Sequence, residues 1–337
     1  MCWSMAAWNS RVTPPPPSAT ASWSANSILV CERKRTPTMA ALQGWKLGWI
    51  GVGRMGTPLC RRLLDAGVTL WVTDTDPARV AHLAAEGARP AATAAALAEE
   101  ADIILSMVPN DAALLAVTTG PGGAAEEIHP GQIFIDLSTV SPATSAQVAE
   151  AMASRGADYL RCPVSGSTST AAAGALTIFA SGPDAALDRC APLLGVLGKE
   201  TLRCGASEEA RAVKLMVNMV VALTPAVIGE ALAFGGRLGL DWDQMIDALG
   251  SSVVGSPLLA YKTDMLKARD WTPAADVDLV AKDLDLALAV GQREGVPMLL
   301  SALARQFAAA YQASGEGGLD FFRVATWPER LLAPNPK

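Results

Sequence analysis

The stretch Trp45-Lys46-Leu47-Gly48-Trp49-Ile50, followed at once by Gly51-Val52-Gly53-Arg54-Met55-Gly56, limits the possible folds more than any other part of the chain. An apolar run of strand length enters a Gly-x-Gly-x-x-Gly loop, and residues 54–66 continue with a helical pattern. The three glycines have separate uses. Gly51 allows the tight turn, Gly53 lets a pyrophosphate approach the backbone, and Gly56 lets helix and strand pack closely. The helix start presents N–H groups and about half a positive charge, which suits a diphosphate. Residues 68–72 read as a second strand, and Asp74 follows it about 20 residues beyond the loop, where a carboxylate accepts hydrogen bonds from an adenosine ribose 2′-OH. A carboxylate there also repels a 2′-phosphate, so NAD is favoured and NADP is the alternative. Asp74 equally suits an Asp-Thr-Asp-Pro turn, a purely structural use.

Downstream, residues 102–107 and 133–136 read as further strands, and Pro77 opens a helix where its missing N–H costs little. Strands alternating with helices predict a doubly wound parallel sheet of Rossmann type over residues 44–205. After about Gly205 the strands stop. The residues from Glu208 to Gly235 form an apolar stretch with few breakers and read as one long helix, with Pro225 expected to kink it. Helical patterns follow near 241–250, 257–268, 277–294, 297–313 and 318–332. An all-α C-terminal domain over residues 206–337, joined by the long helix, is the expectation.

Residues 1–43 differ from the rest. They carry Pro14 to Pro17, many Ser and Thr, and Arg33-Lys34-Arg35, with no apolar periodicity. They read as a disordered leader. An over-extended start with Met39 as initiator, a transit peptide and a functional arm are the competing explanations. A cytoplasmic location is expected, or an organellar one if the leader is a transit peptide. The formal charge of −6 argues against a nucleic-acid partner. No apolar run reaches the roughly 18 residues of a membrane span, so no membrane partner is expected. Six scattered cysteines without CxxC spacing point to a reduced compartment, and a count of two histidines, His82 and His129, argues against a histidine-built metal site.

Beyond the loop, three more blocks carry a resemblance: Asp136-Leu137-Ser138-Thr139-Val140-Ser141-Pro142, Pro163-Val164-Ser165-Gly166-Ser167, and Lys214-Leu215-Met216-Val217-Asn218, with Lys282-Asp283-Leu284 further on. With them the chain resembles the β-hydroxyacid dehydrogenase family from about Leu47 to Leu332. The resemblance implies NAD(P)-dependent interconversion of a small 3-hydroxy acid and its semialdehyde or keto form. It implies Lys214 as general acid/base, and Ser165, Gly166, Ser167, Asn218 and Lys282 as contacts for a small carboxylate substrate. It implies cofactor contacts from the residues of the glycine loop, Asp74, Met107, Val108, Pro109, Thr139 and Lys282. No metal is implied, and a homodimer or homotetramer is common in the family.

The departures are specific. PVSGS and KLxVN are similar to the glyoxylate/succinic semialdehyde reductase branch, yet Asp74-Thr75-Asp76 replaces that branch's usual Asn-Arg-Thr. Arg161-Cys162 stands where Asp-Ala is usual, and Ala275 stands near an expected aromatic. Tartronate semialdehyde reduction is another alternative. A non-catalytic NAD(P)-binding interaction protein is a reading of a different class, opposed by the presence of both Lys214 and Asn218. The lysine itself suits the chemistry, since an ammonium supplies a proton and stabilises a developing alkoxide. Burial and a neighbouring cation would lower its pKa toward use as a base.

Overall fold

The structure, a computed structural model, describes residues 42–332. The leader reading falls almost wholly outside them, as does Met39.

Strand β1 (Lys46–Ile50) has four buried residues in a row after Lys46, the pattern of a strand covered on both faces. It pairs in parallel with β2 (Thr69–Thr73), which pairs with β3 (Arg89–Pro90). On its other side it pairs with β4 (Ile103–Ser106), followed in parallel by β5 (Ile133–Asp136) and β6 (Asp158–Arg161). The alternation of side chains explains both covers. Leu47, Trp49, Ile133 and Ile135 enter one apolar core, whereas Ile50 and Phe134 enter the other. Helices α1 (Gly56–Asp65), α2 (Pro77–Ala85), α3 (Ala94–Glu100), α4 (Asp111–Thr118) and α5 (Pro142–Ser154) make the connections. The chain leaves β1 toward β2 and later returns to the other side of β1 at β4. That reversal of strand order opens a crevice beyond the carboxyl ends of β1 and β4.

The expected parallel sheet runs through β6 and resumes between β8 and β9, with an antiparallel return between the two stretches. Short strand β7 (Val164–Ser165) extends the line of β6, and both pair antiparallel with β8 (Leu176–Ser181). Residues 166–175, containing α6 (Thr168–Ala172), are too few for a parallel crossover, which needs about a dozen. After α7 (Asp184–Leu197), β9 (Gly198–Gly205) joins β8 in parallel.

The helical half begins with α8 (Glu209–Arg237), which runs unbroken through Pro225. It packs against β8, β9, α11 (Val277–Arg293) and α12 (Leu299–Ala313). Between α8 and α11 lie α9 (Trp242–Ser251) and α10 (Pro257–Ala268). Asp241, Ser256 and Asp276 cap α9, α10 and α11 by accepting backbone N–H bonds. The expected last helix over 318–332 is instead a 3₁₀ turn, Phe321–Thr326, followed by α13 (Trp327–Leu331), because Pro328 restarts a helix at its first turn. A fully buried ion pair, Lys262 Nζ to Asp320 Oδ2 at 2.6 Å, holds this half together. Asp320 also accepts from the Ala274 and Phe322 N–H groups at 3.1 and 3.0 Å, which fixes the turn before α11.

By length and composition alone α8 is long and apolar enough to cross a membrane, a test that the core helix of a soluble protein also passes. Asn218, Thr224 and Glu230 break its apolar runs without lowering the average enough. Only 33% of its most apolar window is buried, leaving Met216, Val220, Val227 and Phe234 exposed.

Candidate active site

The glycine loop has the geometry of a phosphate cradle. Gly51 has φ +92°, and a Cβ there would lie 2.3 Å from the Met107 carbonyl oxygen. A Cβ on Gly56 would lie 2.1 Å from the Gly51 oxygen. Gly53 differs from both. A Cβ there would meet only the tip of Arg79, at 3.7 Å, so the protein itself leaves that space open. Helix α1 starts behind it at Met55 with no side-chain cap. Asp74 accepts from the Val52 N–H at 2.8 Å and the Asp76 N–H at 2.8 Å, tying the acid to the loop. Arg79 lies 3.9 Å from it. An open cradle, an uncapped helix start and a carboxylate beside them fit a dinucleotide. Arg54 reaches across the crevice, donating to Asp276 at 2.7 Å and to the Pro273 carbonyl at 3.5 Å.

At the carboxyl edge of the sheet, Ile50, Ser106, Asp136 and Arg161 stand in register. Just beyond it Met107, Val108, Thr139 and Ser165 are half-buried, and Pro109 and Gly166 are exposed, so this edge lines the crevice. Ser138 and Thr139 do not cap α5; Ser141 does, accepting from the Thr144 N–H. Ser138 instead donates to Asp136 at 2.6 Å and accepts from the Val108 N–H at 2.9 Å. Ser167 is engaged by a capping box on α6: its N–H donates to Thr170 Oγ1 at 2.7 Å. Gly166 (φ +148°) is confined, because a Cβ would meet Thr170 Oγ1 at 2.4 Å.

Three side chains of α8 share one face at spacings of three and four residues: Arg211, Lys214 and Asn218. Lys214 is half-buried. Burial pushes its ammonium down from the usual 10.5 to about 8; Asp283 opposes that shift and Lys282 adds to it. Asn218 Nδ2 donates to Asp283 Oδ2 at 2.6 Å. Lys282 Nζ stands 2.9 Å from Asp283 Oδ1 and donates to the Thr139 carbonyl at 2.7 Å. The structure therefore brings Lys214, Asn218, Lys282 and Thr139 together, with Ser165 on the neighbouring strand end. His82 and His129 lie exposed and away from them.

Asp283 is the residue that sequence reasoning left without a role. It is buried, it binds Asn218, and it balances two lysines. Its position beside Lys282 in the quoted motif was the available signal. Two cations flanking one carboxylate, with a lysine of lowered pKa, can hold an anionic ligand and exchange a proton near neutral pH. No cluster of His, Cys, Asp or Glu suited to a metal ion occurs among the described residues.

Comparison with known proteins agrees with both halves of this site. Residues 46–206 match a family model described as the NAD binding domain of 6-phosphogluconate dehydrogenase. Residues 209–327 match one described as NAD-binding of NADP-dependent 3-hydroxyisobutyrate dehydrogenase. The chain is 34% identical over 280 residues to 2-(hydroxymethyl)glutarate dehydrogenase of Eubacterium barkeri, covering 83% of this chain and 93% of that one. It is similar to the crystal structure of a 3-hydroxyisobutyrate dehydrogenase from Salmonella typhimurium (TM-score 0.76, 29% identity, 83% of this chain and 99% of that one). It is also similar to Psf3 in complex with NADP+ (TM-score 0.75, 27% identity, 83% and 99%).

Proposed function

The chain belongs to the β-hydroxyacid dehydrogenase family and is an NAD(P)-dependent oxidoreductase acting on hydroxy acids; on that premise we propose that it interconverts a small 3-hydroxy acid and its semialdehyde or keto form, with Lys214 as general acid/base. The observation that carries the reading is Lys214 itself. It sits half-buried at the carboxyl ends of the strands, pushed down to about 8, with Asn218, Lys282 and Asp283 grouped with it.

A bound nicotinamide cofactor would supply the hydride donor or acceptor for the substrate carbon. The Gly51–Gly56 loop and the start of α1 would hold its diphosphate, and Thr139 and Lys282 border the crevice. The Lys214 ammonium donates a proton to the carbonyl oxygen during reduction. As neutral amine it accepts the hydroxyl proton during oxidation. Asn218, oriented by Asp283, holds the substrate hydroxyl, and Ser165 with Gly166 receives the carboxylate. Asp74, its side chain 7% exposed and fixed by two backbone donors, supports NAD over NADP through repulsion of a 2′-phosphate.

The test is Lys214→Ala against wild type on a panel of 3-hydroxyisobutyrate, glycerate, threonate, succinic semialdehyde and glyoxylate, with both cofactors. A fall in kcat of about 10²–10⁴-fold with unchanged NADH binding is expected. Near wild-type kcat in the variant, or no turnover of any panel member by wild type, sinks the reading.

A homo-oligomer belongs to the same proposal. Met216, Val220, Val227 and Phe234 recur at spacings of four and seven residues along α8 with 58–70% exposure, and Leu299, Leu300 and Leu303 are exposed on α12, which packs beside it. A second copy of the chain covers such a stripe by the same apolar burial that builds the cores. The four free cysteines among the described residues, all pushed up by burial, support a reducing compartment such as the cytoplasm.

A further inference from the structure

Arg211 stands one helical turn before Lys214, and its side chain is 1% exposed. Its guanidinium reaches four elements of the sheet domain. Nη2 donates to Asp136 Oδ2 at the end of β5 (2.5 Å) and to the Tyr159 hydroxyl on β6 (3.1 Å). Nη1 donates to the Ser138 carbonyl in the loop after β5 (2.6 Å), and Nε to Ser145 Oγ on α5 (3.2 Å). Asp136 in turn gathers the Ser106 hydroxyl at 2.7 Å and the Ser138 hydroxyl at 2.6 Å.

A second guanidinium completes the network. Arg161 lies over the Tyr159 ring at 4.7 Å and pairs with Glu208, just before α8, at 2.7 Å. Two cations and two carboxylates therefore balance within a buried patch. Apart from half-buried Glu208 its members are buried, and their polar groups are taken up by one another. What it does is fix the first turns of α8 against the loop that ends in Thr139. Consecutive carbonyls of that loop are gripped from different helices: Ser138 by Arg211 of α8 and Thr139 by Lys282 of α11.

We infer that Arg211 is a positioning residue, which sets Lys214 relative to the Ser138–Thr139 loop and so to the reacting carbon. The inference rests on the reading of Lys214 as acid/base. Geometry is the means: a planar fork with four hydrogen bonds admits little sliding of α8 along the sheet, and misplacement of a proton donor by about 1 Å costs on the order of a hundredfold in rate.

The test is single-turnover consumption of NADH by stopped flow, with the fastest substrate of the panel above. With NADH bound at the active sites and substrate saturating, the rate constant does not depend on how much enzyme is folded; only the amplitude of the first turnover does. Arg211→Lys keeps a cation for Asp136 and gives up the fork. Its rate constant is expected to fall about ten- to a hundredfold, with NADH Kd and substrate KM within about twofold. Arg211→Met with Asp136→Leu removes both charges; it is expected to recover thermal stability relative to Arg211→Met alone, but not the rate. A wild-type rate constant with reduced amplitude in Arg211→Lys, or a wild-type rate in the double variant, overturns the inference. Lys214→Ala in the same assay separates the two claims. If it keeps the wild-type rate, the reading of Lys214 fails; if it is slow while Arg211→Lys is fast, only the role of Arg211 fails.

Discussion

Replacing Asp283 by Asn tests the electrostatics of the site in one step. The amide keeps the shape and an acceptor for Asn218 but removes the negative charge that opposes the depression of Lys214. The existing depression, from 10.5 to about 8, amounts to about 3 kcal/mol in favour of the neutral amine at about 1.4 kcal/mol per pH unit. It leaves about one lysine in eleven neutral at pH 7, against about one in three thousand for an ordinary lysine. Loss of a carboxylate at short range lowers a lysine's pKa by about one pH unit or more. The sign follows directly. Reduction needs the ammonium, so kcat/KM for the carbonyl substrate is flat at low pH and falls above the pKa. The falling limb is expected near pH 8 in wild type and near or below about pH 7 in Asp283→Asn. Lys282→Met removes a like charge and should move the limb upward. The assay is kcat/KM with NADH from pH 6 to 10 at constant ionic strength. A limb that stays at pH 8 in Asp283→Asn, or that moves the same way in both variants, refutes the argument.

Three further outcomes are expected. Gly53→Ala should keep the wild-type Tm and lose NADH affinity, because only ligand space is filled, while Gly56→Ala should lose about 1–3 kcal/mol of stability through its clash with the Gly51 carbonyl; thermal melts beside NADH titrations check both. Asp74→Ser should narrow the preference for NADH over NADPH in kcat/KM, and exclusive use of NADPH by wild type would overturn the role given to Asp74. Phe234→Glu, which charges a 70%-exposed stripe residue, should lower the oligomeric state seen by light scattering; an unchanged mass argues that the stripe is not the interface.

How much of this was legible before folding depended on whether a residue's role was local. The glycine loop, Asp74 and strands β1, β2, β4 and β5 follow from spacing, because each needs only its neighbours in sequence, whereas β3, two exposed residues long, offers no pattern. Lys214 and Asn218 were legible as a pair on one helix face. Strands β6 to β9 were not. Gly198–Gly205 is mostly half-buried with no alternation, and β6 ends in a buried arginine, so neither offers a period to read. Asp283 and Arg211 were missed for a different reason. Their partners lie 65 and 75 residues away in the chain, and a charge in an apolar helix is silent until the opposite charge is placed. Arg161, standing where an acid is usual, was the visible trace of that rearranged charge balance.

The two bonds that close the crevice differ in kind. Arg54 to Asp276 lies at its outer edge, with the arginine side chain 54% exposed, and such a pair contributes about 1 kcal/mol or less and weakens with salt. Lys282 to the Thr139 carbonyl lies inside, with the lysine side chain 24% exposed and backed by Asp283. The two ends of the crevice therefore differ in their response to salt: raising ionic strength weakens the exposed Arg54–Asp276 pair far more than the contact of the part-buried Lys282 with the Thr139 carbonyl.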